Sequence, residues 1–452
     1  MTTTTETPLY LQGHLAPVPD EIEAHDLPVE GSLPPELTGR YLRNGPNPLP
    51  GEDPGHWFAG HGMLHGIRLR EGRAEWYRNR WVRTAALEGR PFVQPDGTLD
   101  RTAVRANTHI VHHGGKLLAL VENGFPHEVT PDLETLGPRD FGGRLTTAMT
   151  AHPKTDPATG DLHFFGYGAL PPFLTYHRLT AAGELVTSAE IAVAGPTMMH
   201  DFAVTERHAI FLDLPMAFSL EAAMAGSLPY DWSDSYGARL GVMPLDRPGE
   251  VRWFEIDPCY VFHVGNAHEA DGRIVLDVAR YAPEDIRSGW DAIGPNEAGH
   301  ASAAAATGVA TLHRWTLDPA TGTVTQTQLS EQGLEFPTVD DDRAGRPNRY
   351  LYAVADSGTR SAVLKSDGGT VTAHELGADA VAGEAVFVPA ADRGAEDEGW
   401  LLSITTTRDG RASDLLVLDA TDLSRVARVE LPRGVPAGFH GSWNADPAAD
   451  ES

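Results

Sequence analysis

Short apolar runs, five or six residues long and bounded by polar turn signals, recur along this chain. They are Lys116–Val121, Leu162–Tyr167, Ala209–Leu214, Arg273–Val278, Tyr350–Val354, Trp400–Thr405 and Asp414–Leu418. Their content of Val, Ile, Leu, Phe and Tyr and their length read as strands. Two of the turns are explicit, since Asp156–Gly160 and Asp318–Gly322 both spell DPATG. In that sequence Asp caps the turn, Pro presets φ and Gly accepts a positive φ. Only Ser219–Ala225 and Pro283–Ala292 pattern as helices, and no strand–helix alternation runs along the chain. A doubly wound sheet is therefore disfavoured, and an all-β architecture with a few inserted helices is expected. Seven propeller blades of about 60 residues would fill the chain. A large sandwich or barrel fits the periodicity equally well.

Placing the histidines against these strands adds a regularity. His152 lies ten residues before Leu162, His200 nine before Ala209, and His263 ten before Arg273, each across a turn-like segment. Successive blades would give this spacing if each innermost strand began with a histidine facing the axis, and rigid strands are good platforms for a shared metal. Rival groups exist in His56, His61 and His65, and in His109, His112 and His113. Neither rival has a spacing with a known ligand geometry, so both read as loop or core histidines.

Composition narrows the chemistry. The chain has 452 residues, which at about 150 per domain suggests two or three domains. It has 35 basic and 63 acidic residues, a net charge of −28. That balance argues against nucleic-acid binding and against docking on anionic lipid by charge. The single cysteine, Cys259, excludes internal disulfides, cysteine-rich zinc sites and protein-held iron–sulfur clusters, and reads as a small core residue. Any metal must then be held by nitrogen and oxygen, with 20 histidines available. The N-terminus lacks the basic and apolar regions of a signal peptide, and no apolar run reaches membrane-spanning length, so a soluble cytoplasmic protein is expected. The ends, 1–7 and 445–452, read as frayed tails.

An ordered series of motifs then carries a resemblance. It comprises YLRNGPNP at 41–48, WFAGHGMLHG at 57–66, YRNRWVRT at 77–84, LLALVENG at 117–124 and MTAHPKTDPATG at 149–160. It continues with MHDF at 199–202, FHVGNAHE at 262–269, LEFP at 334–337, GEAVFVP at 383–389 and GFHGSW at 438–443. This series resembles the carotenoid cleavage oxygenase family from near residue 10 to residue 443. The resemblance implies one seven-bladed β-propeller over the whole chain, with a helical and loop cap over a face that bears non-heme Fe(II). It implies iron ligands at His152, His200, His263 and His440; the last could not be found from spacing. Glu122, Glu335 and Glu384 match the carboxylates that accept hydrogen bonds from ligand histidines.

The resemblance also implies the reaction, O₂-dependent cleavage of a conjugated carbon–carbon double bond to two carbonyl products. Its partners would be O₂ and an apolar small molecule, with no protein partner evident. Val121 stands before Glu122 where hydroxystilbene-cleaving members carry a lysine, and Trp81 stands where a tyrosine is common. Both positions are candidate substrate contacts, and both departures favour a carotenoid or apocarotenoid over a stilbene or vinylphenol. His61 stands where an acid is common in the family and is not expected as a ligand. A non-catalytic binding propeller is the alternative of another class, disfavoured because all seven metal-site positions are filled. A calcium-dependent hydrolase propeller would need oxygen ligands instead. The apolar stretch 214–228 reads either as a peripheral membrane contact or as a cap helix packed on the propeller.

Overall fold

The computed structural model describes residues 7–224, 228–292 and 309–446. Seven antiparallel sheets follow one another along the chain as the blades of a β-propeller. The first blade runs outward from Gly441–Ala445 through Gly39–Pro46, Gly62–Arg70 and Arg73–Trp81 to Glu23–His25. Its innermost strand thus comes from the C-terminus. The seventh blade takes its outermost strand, Val29–Gly31, from near the N-terminus. Both ends of the chain lock the ring, which removes the open sheet edges that an unclosed array would leave. Length alone suggested two or three domains, but these residues make one ring.

Six of the seven predicted runs are the second strands of successive blades. They are Lys116–Leu120, Leu162–Tyr167, His208–Asp213, Arg273–Tyr281, Tyr350–Asp356 and Gly399–Thr407. A second strand is covered on both faces by neighbouring blades, so it reads as a continuous apolar run. Phe165 in the third blade packs edge-on against Phe202 in the fourth, with ring centroids 5.1 Å apart and neither ring exposed. Outer strands such as Leu185–Glu190 alternate buried and exposed positions and carry no such run. Both DPATG turns close hairpins as expected, with Gly160 at φ 72° and Gly322 at φ 78°.

Two helices are inserted, α1 (Leu220–Met224) and α2 (Pro283–Ala292). The expected helix 219–225 is thus shorter, and Ala225 lies outside the described residues. The 214–228 stretch also divides. Leu214 and Met216 are core residues, and Met216–Phe218 pairs with Tyr230–Trp232, whereas Leu220 and Met224 on α1 are 65% and 82% exposed. Residues 225–227 lie outside the described residues. Among the described residues, no helix is long and apolar enough to cross a membrane. The C-terminal tail begins later than expected. Ala445 pairs with Gly39, and the Asp446 carboxylate takes Arg40 at 2.9 Å and Arg68 at 2.6 Å. The expected tail residues 1–6 and 447–452 lie outside the described residues.

Candidate metal centre

Each blade presents its innermost strand to the axis, and at or near the starts of four of these strands lie histidines whose rings converge. His152 lies two residues before Lys154–Thr155 of the third blade, and His200 two before Phe202–Val204 of the fourth. His263 sits at an irregularity within Tyr260–Ala270 of the fifth, and His440 immediately before Gly441 of the first. Their ligand atoms all lie within 4.8 Å of one another. His152 Nε2 is 3.0 Å from His200 Nε2, which is 3.3 Å from His263 Nε2, which in turn is 3.2 Å from His440 Nε2.

The tautomers follow from the opposite sides of the rings. His263 Nδ1 donates to Glu335 Oε2 at 2.5 Å and His440 Nδ1 to Glu384 Oε1 at 2.9 Å, while His200 Nδ1 rests against Glu122 Oε1. A proton on Nδ1 leaves each Nε2 with an inward lone pair. Lone pairs converging at 3.0–3.3 Å repel unless a cation lies between them. Two nitrogens held at right angles about 2.1 Å from a shared ion would lie about 3.0 Å apart, close to the observed spacings.

The surroundings call for the same cation. Burial, then repulsion from the other histidines, holds His152 and His440 well below the usual imidazole range. Burial pushes His263 down to about 3. In His200 burial acts in the same direction, but the Glu122 carboxylate outweighs it and raises the pKa. Burial lifts Glu335 to about 7, against the Tyr281 hydroxyl and the Phe336 N–H, and it also raises Glu384. Buried acids facing neutral rings lack positive charge, which a divalent ion at the four Nε2 atoms would supply. Four imidazoles suit a first-row transition metal such as iron, copper, nickel or zinc.

The three carboxylates come from the blades that give no ligand: Glu122 from the second, Glu335 from the sixth and Glu384 from the seventh. Their remaining oxygens are also held. The Tyr167 hydroxyl donates to Glu122, the Tyr281 hydroxyl to Glu335 at 2.7 Å, and the Gly441 N–H to Glu384 at 2.7 Å. Sequence reasoning missed both tyrosines, because their partners are 45 and 54 residues away.

It also missed a strut that joins three ligand segments. Asp201, which follows His200, is 3% exposed. Its Oδ1 accepts from the Phe202 N–H at 2.7 Å and pairs with Lys154 Nζ at 2.8 Å, two residues beyond His152. Its Oδ2 accepts from the N–H of Val264, the neighbour of His263, at 2.8 Å. Asp201→Asn keeps all four histidines but loosens three of their segments. Retention of a first-row metal ion against a competing chelator is expected to fall by up to about tenfold. Unchanged retention would show that the strut does not position the ligands.

An aromatic wall adjoins the rings, and three of its members sit next to metal-site residues in sequence. Phe262 is edge-on to His200 at 5.3 Å, Phe439 meets Phe58 at 5.3 Å, and Phe336 stacks on His263 at 4.9 Å. Phe336 holds φ 52°, a left-handed conformation that costs a bulky residue about 1–2 kcal/mol. Asn107 pins the turn carrying Phe58 by donating to the carbonyls of Phe58 and Gly60 at 2.8 and 2.7 Å.

The substrate contacts expected at Trp81 and Val121 fare differently. Trp81 lies apart from the four histidines, packed with Val18 and Met63, and its indole N–H donates to the Asn47 carbonyl at 3.0 Å. Its large ring is used in the core. Val121 is half-buried beside Glu122. His109 begins the innermost strand of the second blade, with its ring 5.2 Å from that of His440. Its Nδ1 is engaged by the Ala151 carbonyl at 2.9 Å, and it is not among the converging four. His61 meets Glu52 and Arg105 instead.

Residues 15–445 match the family model described as retinal pigment epithelial membrane protein. A carotenoid cleavage oxygenase of Mycobacterium tuberculosis is 39% identical over 96% of this chain and 97% of its own length. The crystal structure of Pseudomonas brassicacearum lignostilbene dioxygenase superposes with a TM-score of 0.85 at 29% identity, over 98% of this chain and 99% of that one. Cobalt-substituted Synechocystis apocarotenoid oxygenase superposes with a TM-score of 0.83 at 30% identity, over 95% and 97%.

Proposed function

The chain belongs to the carotenoid cleavage oxygenase family, and from that premise we propose that it is an Fe(II)-dependent dioxygenase of carotenoids or apocarotenoids. It cleaves one conjugated carbon–carbon double bond with O₂. Both oxygen atoms end in the two carbonyl products, so the reaction needs no net proton transfer and no side chain as general base. The convergence of four Nε2 atoms at 3.0–3.3 Å, backed by buried carboxylates, carries the reading. His152, His200, His263 and His440 are the proposed ligands. When bound, Fe(II) supplies the open positions at which O₂ is activated.

The chain itself does the holding. Glu122, Glu335 and Glu384 fix the tautomers and orientations of three rings and raise their basicity. Phe58, Phe262, Phe336 and Phe439 exclude water from the adjacent face and offer flat surfaces to a polyene. Rate then comes from placing one alkene beside the metal, a positioning effect.

The polyene reading is supported by what is missing for a phenol. Val121 has no side-chain donor, and the Tyr167 and Tyr281 hydroxyls already donate to Glu122 and Glu335. The lignostilbene-cleaving neighbour supports a second reading, cleavage of an aromatic alkene. Incubating the iron-loaded protein with an apocarotenal and with a hydroxystilbene, and identifying the aldehydes, separates the two. The apocarotenal is expected to be cleaved at least about tenfold faster, the size of effect that one unmet polar group produces. Rapid hydroxystilbene cleavage beside an inert polyene would reverse the order of preference. Zinc or calcium at full occupancy, with no iron-dependent O₂ uptake, would sink the oxygenase reading altogether.

A further inference from the structure

Apart from the metal centre, one deeply buried charge among the described residues stands without a counter-charge. Arg43 lies in the second strand of the first blade and is 1% exposed. Its Nη2 donates to the Pro436 carbonyl, while Nε is buried with no acceptor among the described residues. No carboxylate among the described residues pairs with it, and the acidic groups that act on it electrostatically are the Tyr41 and Tyr77 hydroxyls. A buried guanidinium with unused donors is strongly unfavourable unless something accepts from it.

The space beside it can admit that acceptor at Nη1, which makes no hydrogen bond among the described residues, whereas Nε is sealed from it. Arg43 lines a cavity of 470 Å³ that extends from Glu335 and Phe336, at the edge of the metal centre, toward Ser357 and Arg360. Gly383 and Gly438 line the same cavity and flank the guanidinium. A Cβ at Gly438 would come within 3.0 Å of Nε, and one at Gly383 within 3.5 Å of Nη1. The acids on the wall are already engaged. Glu335 takes His263 and Tyr281, Asp356 takes Arg408, and Glu375 takes Arg360. The charge left over on the wall is a cation with a planar fork of donors, which matches a carboxylate.

We propose that this cavity receives the carboxylate end of a polyene, held by Arg43, so that the chain's substrates include apocarotenoid acids. The proposal rests on the oxygenase reading for the word substrate, and it adds a polar anchor to an otherwise apolar site. The polyene extends from Arg43 past Phe336 toward the four histidines, and the acid end fixes which double bond lies beside the metal.

The test measures binding without turnover. The full-length iron-loaded protein is titrated under nitrogen with retinoic acid, its methyl ester and retinol, which differ only at the terminus. The acid is expected to bind at least about tenfold more tightly than the ester or the alcohol, as a charge-assisted pair would give. Arg43→Met is expected to erase that preference while leaving retinol affinity unchanged. Equal affinity for acid and ester in the unaltered protein would overturn the proposal with no variant involved. A preference that survives Arg43→Met would overturn it too, because the carboxylate would then be on the metal. If millimolar phosphate or chloride displaces the acid from the unaltered protein but has no effect on retinol, the cavity is a small-anion site and the proposal falls. Acid preference without cleavage of any polyene would sink the oxygenase reading alone, and cleavage without acid preference would sink this proposal alone.

Discussion

His200→Ala is expected to leave the protein folded and without iron. His200 Nε2 stands between two of its fellows, 3.0 Å from His152 and 3.3 Å from His263, so its loss breaks the set in the middle. The substitution also strips Glu122 of the ring it holds and leaves that carboxylate only the Tyr167 hydroxyl. Losing a ligand should cost more than the roughly 10–100-fold in affinity or activity that a ligand's hydrogen-bond partner is worth. Iron content by elemental analysis should fall from about one per chain to near zero, and alkene cleavage below detection. Far-ultraviolet circular dichroism should be unchanged, since the propeller is closed by strand pairing at Gly39–Arg43 with Gly441–Ala445, far along the chain from residue 200. The decisive comparison is His109→Ala. That ring is also buried at the axis, 5.2 Å from His440, but its Nδ1 serves the Ala151 carbonyl. It should keep its iron. Equal iron loss in both variants would mean that general packing at the axis, not ligation, is being measured.

The contrast between those two histidines shows what the sequence carries. Second strands are buried on both faces, so their apolar runs marked one position in each of six blades. Counting back from them found His152, His200 and His263. Innermost strands such as Lys154–Thr155 and Phe202–Val204 are too short to give any pattern. His440 escaped the count because the strand it precedes closes the first blade from the far end of the chain. The choice of a propeller over a sandwich or barrel, and the fourth histidine, entered through the ordered motifs. Beyond those motifs the site is built from distant pairings. Tyr167 with Glu122, Tyr281 with Glu335, and Asp201 with Lys154 are neighbours only once the blades are arranged around one axis. The packing of Trp81 with Val18 and Met63 was hidden for a related reason: a motif position gives its place on a strand but not which cluster its ring enters. Phe262, Phe336 and Phe439 adjoin metal-site residues in sequence, and that adjacency is the signal that would have found the aromatic wall.

Glu335→Gln should retain fold and shape yet lose about 10–100-fold in iron affinity or cleavage rate. The side chain now accepts from three donors, with Oε1 taking the Tyr281 hydroxyl at 2.7 Å and Oε2 taking the Phe336 N–H at 2.7 Å and His263 Nδ1 at 2.5 Å. Glutamine fills the same volume. Its carbonyl can still face His263 and Phe336, and the Tyr281 hydroxyl can rotate to accept from the amide. What disappears is the negative charge behind His263, so the ring stays in place but gives less electron density to the metal. Tyr281→Phe makes the reverse change. It removes a donor from Oε1 and leaves a carboxylate that leans more heavily on His263, so its loss should be a few-fold at most. Iron retention against a chelator, read alongside cleavage rate, ranks the two. If Tyr281→Phe costs as much as Glu335→Gln, ring orientation rather than charge is what Glu335 contributes. If Glu335→Gln costs nothing by either measure, the carboxylate does not act on the metal through His263 at all.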